Sequence, residues 1–187
     1  MSKDIVMISG APRQGGNTER LAAAFVEGAK SAGKNVVTFQ AAKMKIGGCR
    51  GCGHCMGNKG VCIQKDDMPA ILDALRKADA VVFVSPVYFY DMTAQLKLVI
   101  DRTFALLEVD AAGEYSVGSP IKKAALLMTC GDSTEEAAAG AVLAFRNICS
   151  FAKWENVGAV IATGLYTPGE IDGRPELDKA RALGQTI

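Results

Sequence analysis

The stretch IVMISGAPRQGGNT, residues 5 to 18, decides the fold. Its first half is a short apolar run, rich in β-branched residues and closed by Gly10, the pattern of a buried strand. The loop APRQGGN follows. From Thr18 the period changes: Leu21, Phe25, Ala29 and Ala32 recur on one helical face, Asn17 or Thr18 is placed to cap, and Gly33 stops the run. NVVTFQ, residues 35 to 40, returns to strand. The chain therefore opens as strand, helix, strand.

That rhythm continues outward. Asp66 and Asp67 are placed to cap a helix that tolerates Pro69 in its first turn and buries Ile71, Leu72 and Leu75. AVVFVSP, residues 80 to 86, is apolar almost without a break, as a central parallel strand must be when both its faces are covered. A helix is expected from about Met92 to Leu107, carrying Leu96, Val99, Ile100, Thr103 and Leu107 on one side. After a turn-rich segment, Gly113 to Pro120, come the strand KKAALLMTCG and a helix over 135–154 with Ala138, Ala141, Val142, Phe145, Ile148 and Ala152 in one stripe. The strand VGAVIATG, residues 157 to 164, and a last helix from about Glu176 complete the alternation. Five strands alternating with five helices imply an α/β fold, a doubly wound parallel sheet with right-handed crossovers, in the flavodoxin-like order 2-1-3-4-5. Ligands of such sheets bind at the carboxyl ends of strands one and three, where the order reverses.

At 187 residues the chain is read as a single domain, with no internal repeat. A net charge of +1 with 22% charged residues gives no electrostatic argument for nucleic acid or an anionic membrane, so the expected partner is a small molecule or another protein. MSKDIVMISGAP offers an apolar run too short for a signal peptide core or a membrane span, and a cytoplasmic location is expected. In a reducing compartment six cysteines point to metal or redox use rather than to a disulfide framework.

Two loops flank the expected switch point. In SGAPRQGGNT, Ser9, Asn17 and Thr18 supply side-chain donors, Arg13 a full charge, and Gly15 and Gly16 close approach, all at the positive end of a helix. This suits a phosphate. The spacing is neither Gly-x-Gly-x-x-Gly nor a Walker loop, and Gln40 ends strand two where a dinucleotide site would have an acid, which leaves a mononucleotide such as FMN. Opposite lies SPVYFYD, residues 85 to 91, whose Tyr88, Phe89 and Tyr90 offer π-faces to a planar ring while the Pro86 and Val87 backbone meets its edge; the alternative is that these rings only cap the core. Thr129, Cys130, Gly131 and Asp132 form a third wall; Cys130 and Cys149 read first as small buried hydrophobes.

The stretch GGCRGCGHCMGNKGVC interrupts the alternation after strand two, within a loop from about Lys43 to Lys65 that is too long for a simple connection. Cys49, Cys52, Cys55 and Cys62 are separated by two, two and six residues, a ligand spacing in a glycine-rich backbone free to fold tightly. Four thiolates suit an iron–sulfur cluster or a structural zinc, and three cysteines at two-residue gaps favour the cluster. A redox disulfide and metal-free thiols remain as alternatives. His54, the single histidine, reads as a solvated loop residue.

SGAPRQGGNT, the four-cysteine loop followed by DDM, and SPVYFYDMTAQLKLVIDRTF together resemble the NADPH-dependent FMN reductase family, and within it the iron–sulfur flavoproteins, over nearly the whole chain and in matching order. The resemblance implies FMN, with Ser9, Arg13, Gly16, Asn17 and Thr18 at its phosphate and Pro86, Val87, Tyr88 and Phe89 at its ring. It also implies a 4Fe-4S cluster on Cys49, Cys52, Cys55 and Cys62, and homodimers or higher oligomers such as homotetramers in which cluster and flavin approach across subunits. Ala11 stands where the family commonly has serine, and Cys130-Gly131 where a glycine pair is common. Three activities are compatible with these features: an electron-transfer flavoprotein linking FMN, cluster and an external small-molecule or protein partner; an NAD(P)H-dependent FMN, quinone or azo reductase without a cluster; and a non-catalytic module stapled by zinc.

Overall fold

The computed structural model describes residues 4–109, 112–113 and 115–187. Met1 to Lys3 of the opening segment, and Glu114 within the turn-rich stretch, lie outside the described residues.

In chain order the elements are β1 (Asp4–Ser9), α1 (Asn17–Ser31), β2 (Asn35–Gln40), a one-turn α2 (His54–Gly57), α3 (Met68–Leu75), β3 (Ala80–Tyr88), β4 (Asp91–Met92), α4 (Ala94–Arg102), β5 (Leu107–Val109), β6 (Tyr115–Val117), β7 (Lys123–Thr129), α5 (Ala139–Ala152), β8 (Glu155–Ala162) and α6 (Pro175–Thr186). The main sheet runs β2-β1-β3-β7-β8 with all four pairings parallel, so the expected 2-1-3-4-5 order is found, β7 and β8 being its fourth and fifth strands. β4 adds a short antiparallel pairing to the end of β3.

The unbroken apolar runs have their physical reason in two cores, one on each face of the sheet. Alternate side chains go to opposite faces. Val6, Ile8, Val81, Phe83, Leu126 and Met128 meet α3, α4 and α5, while Ile5, Met7, Val82, Val84, Ala125 and Leu127 meet α1 and α6. On the first face Phe83 and Phe145 stand edge to face, 6.3 Å between centroids. On the second, α1 and α6 approach closely: a methyl group at Gly28 would lie 2.0 Å from the Arg181 carbonyl oxygen, and one at Gly184 2.2 Å from that of Phe25.

Three expectations need correction. α1 is capped by Gly16, with no side-chain cap from Asn17 or Thr18, because both side chains are engaged elsewhere. The helix expected from Met92 to Leu107 is α4 alone, 94–102; Met92 belongs to β4, the chain tightens to a 3-10 turn at Thr103–Leu106, and Leu107 starts a strand. The third concerns the turn-rich segment, part of which is β6, paired antiparallel with β5 in a hairpin beside the cysteine-bearing loop. Gly33 does end α1, with φ +72°. No helix among the described residues is long and apolar enough to cross a membrane.

Candidate functional site

β1, β3 and β7 are neighbours, so the loops leaving their carboxyl ends converge at one edge of the sheet; Ser9 pairs with Val84, and Pro86 with Thr129. This is where the order of the strands reverses.

The first loop is fixed from beneath. Gly10 donates to the Val84 carbonyl at 2.8 Å, and the Gly10 carbonyl accepts from the Thr93 hydroxyl at 3.0 Å. Buried Ser9 turns its Oγ to the Ala11 N–H at 3.3 Å. Arg13 is exposed and donates to the Tyr166 carbonyl at 3.4 Å. Gly15, at φ +67°, gives its N–H to the Glu19 carboxylate at 2.5 Å. The N–H groups of Asn17, Thr18 and Glu19 have no backbone acceptor among the described residues, the usual condition of a helix start and the basis of its affinity for anions.

Asn17 and Thr18, however, are turned inward. Asn17 donates to the Thr167 carbonyl at 2.8 Å and accepts from the N–H groups of Gly169, at 2.9 Å, and Ile171. It thereby ties the segment after β8 to the start of α1. The Thr18 hydroxyl lies 2.6 Å from that of Thr129, joining α1 to the end of β7. Sequence reading missed this segment after β8. Its Tyr166 ring lies against Gly131, where a Cβ would come within 2.7 Å of it, and Glu170 accepts from the N–H groups of Tyr166 and Thr167. Those two backbone bonds hold the exposed Glu170 carboxyl below its usual range. Pro168-Gly169 and Asp172-Gly173 are turn signals that could have marked this loop, but no local pattern reports its bonds to Asn17.

The second loop is a tight hairpin between β3 and β4, with Val87 opposite Met92 and Tyr88 opposite Asp91. Phe89 and Tyr90 form its turn at φ +47° and +69°, left-handed values that suit glycine or asparagine and strain an aromatic residue. Phe89 is 97% exposed, so it does not cap the core; its ring stands edge to face with Tyr90 at 6.0 Å. Pro86 is buried, Val87 half-buried and Tyr88 exposed. The third wall holds Cys130, buried, whose carbonyl accepts from Leu165; Gly131; and Asp132, whose carbonyl accepts from Gly164 at 2.6 Å. Burial pushes the Cys130 thiol up, with Asp132 and Glu135 adding to it.

The cysteine loop leaves β2 and folds along the 3-10 turn that follows α4. Cys49, Cys52, Cys55 and Cys62 are free thiols that border one cavity of about 520 Å³, with His54, Asp101 and Phe104 also in its wall. Among the described residues no three His, Cys, Asp or Glu side chains are gathered closely enough to hold a metal ion. The donor set, four thiols bordering one space in a backbone bent by Gly51, Gly53 and Gly60 at positive φ, has the chemistry of a thiolate-bound metal centre, with the sulfurs spread around the space rather than gathered. Both ends of the loop are anchored by Asp66, which accepts from the Gly47 N–H at 2.9 Å and pairs with buried Arg102. Burial alone would raise the Cys62 thiol, but the Gln64 N–H and the Arg102 guanidinium hold it below its ordinary value. Asp66 is likewise held low against burial, first by Arg102 and then by the N–H groups of Gly47 and Met68. Cys55 is pushed up by burial, with Cys62 and Cys49 adding to the effect.

The model of the NADPH-dependent FMN reductase family matches residues 4–167. An iron–sulfur flavoprotein of Archaeoglobus fulgidus is 34% identical over 184 residues, 97% of this chain and 77% of that protein. One from Methanosarcina thermophila is 34% identical over 117 residues, 63% of this chain and 61% of that protein. Among solved structures, an NAD(P)H:quinone oxidoreductase from Methanothermobacter marburgensis superposes with a TM-score of 0.78 at 20% identity, covering 100% of this chain and 99% of its own.

Proposed function

The chain belongs to the NADPH-dependent FMN reductase family and is a flavin-dependent oxidoreductase; from that premise we propose that it is an electron-transfer flavoprotein in which FMN and a 4Fe-4S cluster exchange electrons with an external partner. One observation carries the reading: the four free thiols of the cysteine loop border a single cavity in a chain that otherwise has the fold of an NAD(P)H:quinone oxidoreductase.

When bound, FMN supplies hydride acceptance and stepwise electron release, and an iron–sulfur cluster a one-electron station. The protein's part is positioning. The open N–H groups at the start of α1, with Arg13 and the Ser9 to Gly16 backbone, receive the terminal phosphate. Charge-assisted bonds of this kind contribute about 1.5–3 kcal/mol each. Asn17 and Thr18 act behind the phosphate, fixing the loop from within rather than touching it. The Pro86, Val87, Tyr88 and Phe89 edge and the Cys130, Gly131 and Asp132 wall flank the ring, and Tyr166 extends that wall. Cys49, Cys52, Cys55 and Cys62 hold the cluster. NAD(P)H or a reduced protein would supply the reducing equivalents, and the protein would act as a homo-oligomer.

A second reading, direct reduction of a quinone or azo compound by FMN without a cluster, is favoured by the ungathered sulfurs and by the fold shared with the quinone oxidoreductase. Anaerobic purification separates the two. The first requires flavin bands, broad visible absorption and stoichiometric iron and sulfide; flavin without iron selects the second, and a colourless zinc protein removes both. In the first case Cys52→Ser abolishes iron incorporation and leaves FMN content unchanged, and unaltered iron would exclude Cys52 as a ligand.

A further inference from the structure

Arg102 ends α4 with its side chain buried, the whole residue only 2% exposed. A buried arginine is costly unless every part of its charge is answered. Nη1 donates to the Asp66 carboxylate and, at 3.2 Å, to the Gly47 carbonyl. Nη2 donates to Cys62 Sγ at 3.3 Å. Nε is buried with no partner among the described residues. The arginine thus spans the entry to the cysteine loop at Gly47, the exit at Asp66, and the last of the four sulfurs.

A simpler clamp would need no sulfur contact. Asp66 already joins the two ends by accepting from the N–H groups of Gly47 and Met68, and Gln64 adds a bond to the Gly48 carbonyl at 3.0 Å. What the guanidinium adds is a directed N–H and a positive charge against half-buried Cys62, from a buried position at the end of a helix. Hydrogen bonds and charge at the sulfurs are the levers by which a protein sets the potential of an iron–sulfur centre.

We propose that Arg102 is a positioning residue for the cluster: through Nη2 it fixes Cys62 toward the shared cavity and raises the cluster's reduction potential by stabilising the electron-rich sulfur of the reduced state. This rests on the reading of the cysteine loop as a cluster site. The one-electron change concerned is the cluster's own, with FMN as the source or sink of the electron.

The test uses anaerobically purified, FMN-loaded protein, with iron, sulfide and FMN measured per chain and the cluster potential followed by redox titration under electron paramagnetic resonance. Arg102→Gln shifts the cluster potential to a more negative value while the flavin potential stays in place, and Arg102→Lys, which keeps the charge but loses the fork, restores part of the shift. Because Arg102→Gln leaves Asp66 as an unpaired carboxylate, the double variant Arg102→Met, Asp66→Asn removes both charges together and shows the same negative shift. Loss of iron with FMN retained and an unchanged urea midpoint also supports the assignment, through the positioning of Cys62. Iron content and cluster potential both equal to wild type in the double variant would overturn it. Wild-type protein free of iron and sulfide would overturn the cluster reading beneath it, a different result from an unmoved potential.

Discussion

At Gly10 the turn after β1 leaves no space for a single methyl group: a Cβ there would lie 2.2 Å from the Thr93 hydroxyl oxygen and 2.7 Å from Leu96 Cβ. The contact matters because Thr93 does three things from one buried position. Its hydroxyl donates to the Gly10 carbonyl and accepts from the Leu96 N–H at the start of α4, and its own N–H donates to Ser85 Oγ at 2.9 Å. The loop after β1, the end of β3 and α4 therefore share one knot. Gly10→Ala is expected to lower stability by about 1–3 kcal/mol, the range for overfilling a packed site, read as a lower urea midpoint with an unchanged m value. It should also weaken FMN binding, since the loop above the knot moves with it. The local structure of this region was legible from the sequence: Ser9 and Gly10 close β1, and Arg13 and Gly16 lie in the loop that leads into α1. The partners were not. Asn17 has the chemistry of a phosphate donor, and no local pattern distinguishes that use from a bond to a carbonyl 150 residues away.

At the scale of elements, the more exposed β2 and β8 followed from their place in the alternation, while β1, β3 and β7 were readable because each is buried on both faces, so its composition alone marks it. The two hairpins were not. β4 has two residues, and its turn is made by Phe89 and Tyr90 rather than by the Asn-Gly or Gly-Gly pair that signals a left-handed two-residue turn. The overlong α4 has the opposite cause: Thr103 and Leu107 continue the apolar spacing after the backbone has left the helix. A left-handed conformation costs a side-chain-bearing residue about 1–2 kcal/mol, and the Phe89–Tyr90 turn holds two such residues. Phe89→Asn with Tyr90→Gly should therefore raise unfolding free energy by roughly 2 kcal/mol. Flavin affinity should fall about three- to tenfold, the size of a lost aromatic contact. Urea unfolding of the apoprotein and FMN titration measure the two separately; a gain in stability with unchanged affinity would remove the hairpin aromatics from the site.

For the molecule as a whole, the cores on the two sheet faces set how stability responds to pH. Cys149 is buried in the α3–α4–α5 core, and that burial raises its thiol from 9.0 to about 11. The folded chain keeps the proton where the unfolded chain would release it. Its contribution is complete below the unfolded value near 9 and is lost as pH rises through about 11. A shift of this size corresponds to about 2–3 kcal/mol. Cys149→Ala should flatten the decline of stability between pH 9 and 11 relative to wild type, measured by urea unfolding at fixed pH steps; an identical alkaline limb would show that other groups govern it. The Asn17 side chain, which grips Thr167, Gly169 and Ile171, has a consequence in time rather than in space. A nascent chain displays the loop after β1 early, yet the contacts that fix the start of α1 close only when β8 and the segment beyond it have left the ribosome. A chain truncated before residue 167 carries the loop without the staple that shapes it.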